Sequence, residues 1–376
     1  MMHDDRFRVT YLIVAPEEAS AGKRAVGVAY EQTVEVPDDA VPDGYIRDEI
    51  VGQIESIAPA DDGRYRAVIS YSPDSVGTEV IQLINVMFGN SSIQQGISVE
   101  AFHPGTVLAK RFQGARFGIA GLRALTGTKR GGLISPVIKP QGSSAKALAD
   151  IAGRCVAGGA DIIKDDHGLT NQPMAPFEDR LRKVSDAVGD ANAKHGRSAL
   201  YFVNISGWSG NPLEEAYAAK HAGAGGVLIM PGLLGYGLAN RLASNPEFGL
   251  PIMTHPSFTG PFVLTRDTGF SHAMMYGTLQ RIIGSDISVF PNVGGRFGFS
   301  RDECLSVADA CRDSDGLGKP MMPSPGGGMS VERARDMVDM YGEDVVYLLG
   351  GSLLRAGEKV GDAVKAMREA VDAALT

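Results

Sequence analysis

The sequence has few cysteines and no long hydrophobic run. Its three cysteines, Cys155, Cys304 and Cys311, form neither a paired framework nor a CxxC motif, which favours a reducing compartment over an oxidising one. No apolar stretch approaches the roughly 20 residues that a membrane-spanning helix needs. The N-terminal residues 1–5 offer neither a basic start nor an apolar signal region. These absences predict a cytoplasmic protein with no membrane partner.

Positive charge is also scarce. The chain of 376 residues carries 36 Lys and Arg against 44 Asp and Glu, a formal net charge of -8. This balance argues against a nucleic-acid partner, because nucleic acids attract basic surfaces. An anionic ligand must therefore be held by local groups. The length suits about two domains, and a hydrophobic content of 44% is enough to fill a sizeable core.

The first hundred residues differ in pattern from the rest. They hold short alternating apolar stretches at 8–14 and 65–71 and a helical pattern at 75–87. This pattern predicts a small α+β domain of the ferredoxin-like type over residues 1–125. A link at about 114–131 is expected to connect it to the remainder of the chain.

Eight apolar strand candidates alternate with helical patterns in residues 126–376. Alternation of this kind predicts a parallel sheet, and eight such units close into a (β/α)8 TIM barrel. The chemistry of these barrels lies at the C-terminal ends of the strands. The predicted strands lie at 133–139, 161–166, 199–205, 227–231, 252–255, 287–292, 320–324 and 345–349.

The second predicted strand ends in Lys164, Asp165, Asp166 and His167. Side chains alternate along a strand, so Lys164 and Asp166 point the same way. Burial beside these groups favours the neutral amine, which can take up CO2 as a carbamate and become an oxygen ligand for a hard cation. A structural cluster of salt bridges is the alternative interpretation.

Polar and glycine residues gather at the other strand ends. Lys139, His255 and Arg296 follow predicted strands, where capping and turn roles are the simpler alternative. Glycine pairs close strands seven and eight, and backbone N–H groups at these positions of a barrel commonly bind phosphate. These pairs are Gly327 with Gly328 and Gly350 with Gly351. A small-molecule ligand with one phosphate group is therefore expected.

Together these residues resemble the large subunit of ribulose-bisphosphate carboxylase (RuBisCO) and, more closely, its non-carboxylating relatives, the RuBisCO-like proteins. The resemblance covers nearly the whole chain. It implies Lys139 as an acid or base, a substrate-site role for His255, and one Mg2+ per site bound by carbamylated Lys164 and Asp166. The motifs that carry it include Ala29-Tyr30-Glu31, Phe88-Gly89-Asn90, Ile138-Lys139-Pro140 and the stretch from Gly158 to Asp166.

The same resemblance implies an obligate homodimer with shared active sites. Glu31 and Asn90 match residues that the N-terminal domain of one subunit lends to the barrel of its partner. His167 stands where the family has a second carboxylate ligand. We count it as a candidate metal ligand, although imidazole suits softer metals than Mg2+ and leaves the metal and its coordination number open.

Departures from the carboxylases carry the functional information. Arg296 stands where the resemblance places a lysine that helps to polarise CO2, and an arginine is a poor proton donor. Pro256, Val289 and Gly326 replace groups that hold the distal phosphate of a bisphosphate. No CO2 fixation is therefore expected. The pocket suits a substrate with one phosphate and an apolar far end. Arg296 and the glycine pairs would bind the phosphate.

The resemblance thus predicts an isomerase of 5-methylthioribulose 1-phosphate in methylthioadenosine metabolism. The enolase branch of the family uses a lysine a few residues beyond the shared asparagine, whereas residues 91–95 here read Ser-Ser-Ile-Gln-Gln. A decarboxylase or transcarboxylase/hydrolase of a 3-oxo sugar-acid phosphate, of the 3-oxo-isoapionate 4-phosphate type, is an open alternative. A catalytically inactive metabolite-binding barrel is another, although the retention of Lys139, Lys164 and Asp166 counts against it.

Overall fold

The computed structural model describes residues 5–351 and 353–375, so the first four residues of the predicted N-terminal domain lie outside it. Four strands of this domain form a sheet in the order β4-β1-β3-β2, with antiparallel neighbours. With two helices between the strands, this is the ferredoxin-like arrangement, and the predicted α+β fold is confirmed. The elements are β1 (Phe7–Val14), α1 (Glu18–Glu31), β2 (Gln53–Pro59), β3 (Arg64–Tyr71), α2 (Val80–Phe88) and β4 (Ile97–His103).

The remaining strands, with one exception, close into a parallel barrel, which confirms the predicted eight-stranded architecture. The exception, β10, pairs in parallel with β4 at the edge of the N-terminal sheet. The strands are β5 (Leu133–Ile138), β6 (Ile162–Asp165), β7 (Leu200–Asn204), β8 (Gly226–Ile229), β9 (Ile252–Thr254), β10 (Thr268–Phe270), β11 (Ile287–Pro291), β12 (Met322–Gly326) and β13 (Val346–Leu349).

Helices cover the outside of the barrel, where buried apolar residues of helices and strands form the larger core. Among the described residues, no helix is both long and apolar enough to cross a membrane. The helices are α3 (Gly105–Arg111), α4 (Gly118–Thr126), α5 (Ala145–Ala157), α6 (Phe177–His195), α7 (Pro212–His221), α8 (Pro231–Leu234), α9 (Tyr236–Ser244), α10 (Gly260–Val263), α11 (Leu279–Ile282), α12 (Arg301–Arg312), α13 (Ala334–Tyr341) and α14 (Val360–Ala374).

Alternate side chains of the strands fill the barrel interior. On β6, Ile162 belongs to the interior cluster and Ile163 to the outer core, as the period of two residues requires. The interior cluster also contains Leu122 of α4, which shows that this helix packs against the barrel. The link expected at about 114–131 thus contains a helix that packs against the barrel. Glycines at 118 and 121 lower the intrinsic helix propensity there, and the contact with the barrel compensates.

The buried carboxylate of Asp286, just before β11, caps α4 from outside the helix. Its Oδ1 accepts hydrogen bonds from the N–H groups of Phe117 and Gly118 at 2.8 Å, and its Oδ2 accepts from Ile252 N at 2.9 Å. These bonds satisfy N–H groups that have no partner within the first turn of a helix. Because α4 packs on the barrel and β10 on the N-terminal sheet, the division at residues 125 and 126 stays a prediction.

Candidate active site

Lys164 lies near the C-terminal end of β6 and points into the barrel. Its neighbour in register on β7 is Phe202, a residue of the interior cluster, and the lysine is only 1% exposed. Its Nζ donates a hydrogen bond to the carbonyl oxygen of Asp165 at 2.7 Å. Burial lowers the pKa of Lys164 to about 8, although Asp166 and Asp165 act in the opposite direction. This environment makes the neutral amine, the form that combines with CO2, more accessible than in an ordinary lysine.

Asp165 points out of the barrel and belongs to a buried structural network. Its carboxylate accepts hydrogen bonds from Arg180 Nε at 3.1 Å, Tyr201 OH at 2.9 Å and Asn204 N at 3.1 Å. The side chains of Asp165 and Arg180 are both fully buried, so each charge compensates the other where water is absent. Asp165 thus holds β6 against α6 and β7. The adjacent Asp166 is the carboxylate that belongs to the candidate site.

Asp166 links two of the other candidate residues. Its Oδ1 lies 3.5 Å from Lys139 Nζ and 3.4 Å from His167 Nδ1. Partial burial acts to raise the pKa of Asp166. The hydrogen bond from His167 and the charges of Lys139 and Lys164 outweigh this effect and hold the pKa well below its usual value. Asp166 is therefore a carboxylate at neutral pH, able to bind a cation or to orient Lys139.

His255 follows β9 and completes this cluster. Its ring stacks on that of His167, with centroids 4.2 Å apart and planes at 17°, and its Nδ1 lies 2.9 Å from Ser257 Oγ. Burial, reinforced by the positive charge of Lys164, lowers the pKa of His255 well below its ordinary value. The ring is therefore neutral at pH 7. The sequence analysis did not select Ser257, for which the only signal is its position two residues after His255.

The side chains of this cluster supply some of the ligands that a divalent cation needs. Among the described residues, no group of three or more His, Cys, Asp or Glu side chains is arranged to hold a metal ion. A carbamate on Lys164 would add oxygen ligands to that of Asp166, and hard cations prefer oxygen. His167 offers an imidazole nitrogen, which softer metals prefer. At the end of the adjacent strand β7, Asn204 Oδ1 is buried without a hydrogen-bond partner, so this region has an unsatisfied oxygen atom.

The glycine pairs after β12 and β13 present free N–H groups. In the described part of the chain, the N–H groups of Gly327, Gly328, Gly350 and Gly351 donate to no acceptor. Gly327 and Gly328 have φ angles of 101° and 66°, which favour glycine. A Cβ atom added to Gly351 would lie 3.9 Å from Lys139 Cε, so this pair borders the cluster around Asp166. Free backbone N–H groups in such loops are suited to bind an anion.

Two arginines near these loops are placed very differently. Arg296 is exposed, and its guanidinium lies 4.9 Å from the centroid of the Phe297 ring. Among the described residues it forms no ion pair, and no hydrogen bond joins it to the glycine pairs. Arg333 was not selected from the sequence, yet it donates to the carbonyl oxygen of Gly328 at 2.8 Å. A single arginine five residues after a glycine gives no recognisable signal in the sequence.

Glu31 and Asn90 lie together on the N-terminal domain. Asn90 Nδ2 donates to Glu31 Oε1 at 2.9 Å and lies 3.5 Å from Glu35 Oε2. Buried Gln32 accepts a hydrogen bond from Ser91 N at 2.9 Å, which fixes the two segments to each other. Within the described part of the chain, neither Glu31 nor Asn90 bonds to the barrel cluster. This pair is therefore available to another subunit.

Comparisons with known proteins agree with this architecture. The family model of the ribulose bisphosphate carboxylase large chain, catalytic domain, matches residues 118–296. The "ribulose bisphosphate carboxylase-like protein 1" of Rhodopseudomonas palustris is 38% identical over 357 residues, covering 95% of each chain. The "5-methylthioribulose-1-phosphate isomerase" of Rhodospirillum rubrum is 36% identical, covering 99% of this chain and 98% of the relative. The crystal structure of a Rubisco-like protein from Rhodopseudomonas palustris superposes with a TM-score of 0.86, at 34% identity and 98% coverage of both chains.

Proposed function

The chain belongs to the RuBisCO-like proteins, relatives of the RuBisCO large chain, and on this premise we propose that it isomerises 5-methylthioribulose 1-phosphate without fixing CO2. A relative named for this activity aligns with 99% of the chain. The observation that carries the proposal is the position of Lys139, between the acidic cluster and the free glycine N–H groups. Such an enzyme would act in methylthioadenosine metabolism and methionine salvage.

Lys139 connects the two halves of the site. Its Nζ lies 3.5 Å from Asp166 Oδ1, and its Cε lies 3.9 Å from the position of a Cβ atom on Gly351. A phosphate held by the N–H groups after β12 and β13 would place the first carbons of a sugar close to this lysine. This proximity supports Lys139 as the proton-transfer group, because such a group must lie within hydrogen-bonding reach of the reacting atoms.

Isomerisation of a phosphorylated keto-sugar moves a proton from a carbon next to the carbonyl group to the carbonyl carbon, and the carbonyl group shifts to the neighbouring carbon as its hydroxyl proton is lost. In the proposed mechanism Lys139 takes up and returns this proton, and Asp166 orients the lysine while it is charged. Neutral His255, held by Ser257, forms hydrogen bonds with the substrate oxygens. Mg2+ bound by the Lys164 carbamate and Asp166 would supply electrostatic stabilisation of the negative charge that develops on those oxygens.

The far end of the pocket suits an uncharged group. A Cβ atom on Gly326 would lie 3.0 Å from Leu348 Cδ2 and 3.9 Å from Val289 Cγ1, so these residues form an apolar contact. Pro256 adds a further side chain without charge. A second phosphate there would be buried without a partner, which is costly. This composition supports a methylthio group rather than a second phosphate at the distal end.

A homodimer with shared sites completes the proposal. Glu31 and Asn90 lie at the surface of the N-terminal domain, where a partner's barrel can reach them. Large apolar side chains are also exposed on the segments that follow the barrel strands, and an exposed apolar surface of this kind is typical of interaction sites. These side chains are Met174, Trp208, Leu233, Phe258 and Phe297.

The proposed activity is tested with 5-methylthioribulose 1-phosphate in deuterated water containing Mg2+ and bicarbonate, followed by proton and phosphorus NMR. A rearranged pentulose phosphate that keeps its phosphate is expected. A dehydrated or enolised diketone product would contradict isomerisation. Inertness towards this substrate together with release of CO2 from a 3-oxo sugar-acid phosphate would favour the decarboxylase. Metal-dependent binding of sugar phosphates without any turnover would favour the inactive barrel.

A further inference from the structure

Two loops that contain glycines meet at the mouth of the barrel. We call residues 292–300 loop six and residues 327–330 loop seven. A Cβ atom on Gly328 would lie 3.2 Å from the carbonyl oxygen of Gly294, and one on Gly295 would lie 3.7 Å from the backbone of Gly327. Gly294, Gly327 and Gly328 all have positive φ angles, of 74°, 101° and 66°. Glycine therefore allows the two backbones to approach each other closely.

Two side chains hold these loops by their carbonyl groups. Asn292 Nδ2 donates to the carbonyl oxygen of Gly327 at 3.2 Å, and its Oδ1 accepts from Tyr341 OH at 2.6 Å. Arg333 Nη1 donates to the carbonyl oxygen of Gly328 at 2.8 Å, and Nη1 and Nη2 lie 3.3 Å from the carbonyl oxygen of Val293. Arg333 is thus a direct bridge between loop six and loop seven.

These bonds also set the direction of the free N–H groups. In a trans peptide the C=O bond and the following N–H bond point in opposite directions. The bond from Asn292 to Gly327 therefore fixes the N–H of Gly328, and the bond from Arg333 to Gly328 fixes the N–H of Met329. Neither of these N–H groups donates to an acceptor among the residues that the structure describes. Both are held in place before any ligand binds.

We propose that Arg333 is the positioning residue of the phosphate site, which acts by bridging loops six and seven and extends the set of phosphate-binding N–H groups to Met329. It acts through the two carbonyl groups rather than through its charge. Here the inference departs from the expectation drawn from the sequence: it assigns no phosphate contact to Arg296, which is exposed and stacked on Phe297. The inference rests on the proposed function only in that the ligand carries a phosphate.

The test measures the binding of inorganic phosphate to the full chain by titration calorimetry, in the presence of Mg2+ and bicarbonate. Arg333→Ala should weaken binding about tenfold or more, since losing the bridge frees two N–H groups that the site needs in fixed positions. Arg333→Lys should recover little of this loss, because one ammonium group does not reproduce the double contact of a guanidinium. Arg296→Ala should bind phosphate like the parent protein.

Arg335→Ala is the matched control, because Arg335 lies two residues further on, in α13, and among the described residues it forms only an exposed ion pair with Asp339. Amide hydrogen exchange should rise in loops six and seven of Arg333→Ala but not in the control. With a phosphorylated substrate, KM should rise while kcat changes little. Full recovery of phosphate binding in Arg333→Lys would overturn the inference. Unchanged phosphate binding in Arg333→Ala, together with weaker phosphate binding in Arg296→Ala, would overturn it as well.

Inorganic phosphate separates this inference from the proposed reaction. A protein that binds phosphate through Arg333 but fails to isomerise 5-methylthioribulose 1-phosphate would support the first and contradict the second. If the parent protein isomerises this substrate and Arg333→Ala has an unchanged KM, the proposed reaction would be supported and the inference about Arg333 contradicted. If Arg333→Ala does not fold, Arg333→Gln keeps a hydrogen-bond donor at this position and serves in its place. Parent protein that binds no phosphate would also overturn the inference.

Discussion

Lys164 owes its chemical character to its place inside the barrel. It is almost fully buried, and the charges that act on its pKa are the carboxylates of Asp166 and Asp165 and the amine of Lys139. The outward-facing Asp165 is already neutralised by Arg180. The site thus combines a buried amine of lowered pKa with one ionised carboxylate, Asp166, which is the combination that a carbamate-based metal site requires.

Lys164→Ala is expected to abolish turnover, with a loss of about a thousandfold or more, because the metal would lose its carbamate ligand. Nuclear magnetic resonance with labelled CO2 should show a carbamate signal in the parent protein and none in the variant. Lys146→Ala is the control, since Lys146 is exposed and, in the part of the chain that the structure describes, pairs only with Asp150. Near-normal activity of Lys164→Ala would contradict the proposal that a carbamate on Lys164 is required for turnover.

Gly351 tests which end of the substrate is held. Among the described residues a Cβ atom there meets only Lys139 Cε, at 3.9 Å, so the backbone tolerates a side chain. Gly351→Asp should raise KM for every monophosphate substrate by about tenfold or more, because its carboxylate would face the phosphate. Gly351→Ala, which adds bulk without charge, should change KM little. In a complementary experiment, Pro256→Arg should begin to restore affinity for bisphosphates.

An unchanged KM in Gly351→Asp, together with unchanged bisphosphate affinity in Pro256→Arg, would show that the phosphate does not lie beside the glycine pairs. The isomerase proposal would then lose its main support. Steady-state kinetics with one monophosphate and one bisphosphate are sufficient for this measurement.

The contact between α4 and the barrel depends on the buried carboxyl group of Asp286. Burial raises its pKa to about 6, against the effect of the backbone N–H groups of Gly118, Ile252 and Phe117 that bond to it. The pKa of this carboxyl group is higher in the folded than in the unfolded state. Between about pH 4 and pH 6 the folded protein therefore binds more protons than the unfolded protein does. The protonated carboxyl group therefore adds to the free energy of unfolding at the lower end of that window. This contribution is lost as the pH rises through 6.

Asp286→Asn should reduce the free energy of unfolding at pH 7 by about 1–3 kcal/mol, because an amide NH2 would face the N–H of Ile252. The difference between parent and variant should grow by an amount on the order of 3 kcal/mol as the pH falls from 7 to 4. Urea denaturation at several pH values measures this difference. Asp309→Asn, at an exposed position, is the control. Parallel pH profiles for parent and Asp286→Asn would contradict the prediction.

The assembled protein is expected to contain sites built from two subunits. Glu31→Gln and Lys164→Ala should each be inactive, because one change affects the N-terminal domain and the other the barrel. After subunit exchange, a random mixture contains about half heterodimers, each with one intact site, and should recover about a quarter of the parent activity. Mixing Glu31→Gln with Asn90→Ala is the control, since no combination restores an intact site. Equal activity in both mixtures would contradict shared sites.

Local patterns in the sequence determined the architecture. Apolar strands alternating with helices predicted the barrel, and the period of two residues predicted that Lys164 and Asp166 share the inner face. Both features repeat within a few residues, so they are visible without knowledge of distant contacts. The cluster of Lys139, Asp166, His167 and His255 could be anticipated for the same reason, because the ends of parallel strands meet at one edge of a barrel.

Only the tertiary structure decided which groups hold these elements together. The helix α4 forms despite its glycines because Leu122 enters the barrel and Asp286 caps it. Arg333 bridges the two glycine-containing loops because segments 35 residues apart in the chain, as measured from Asn292 to Gly327, meet in space. Burial, which sets the pKa of Lys164, and contacts between distant segments depend on the whole fold, and no short stretch of sequence contains them.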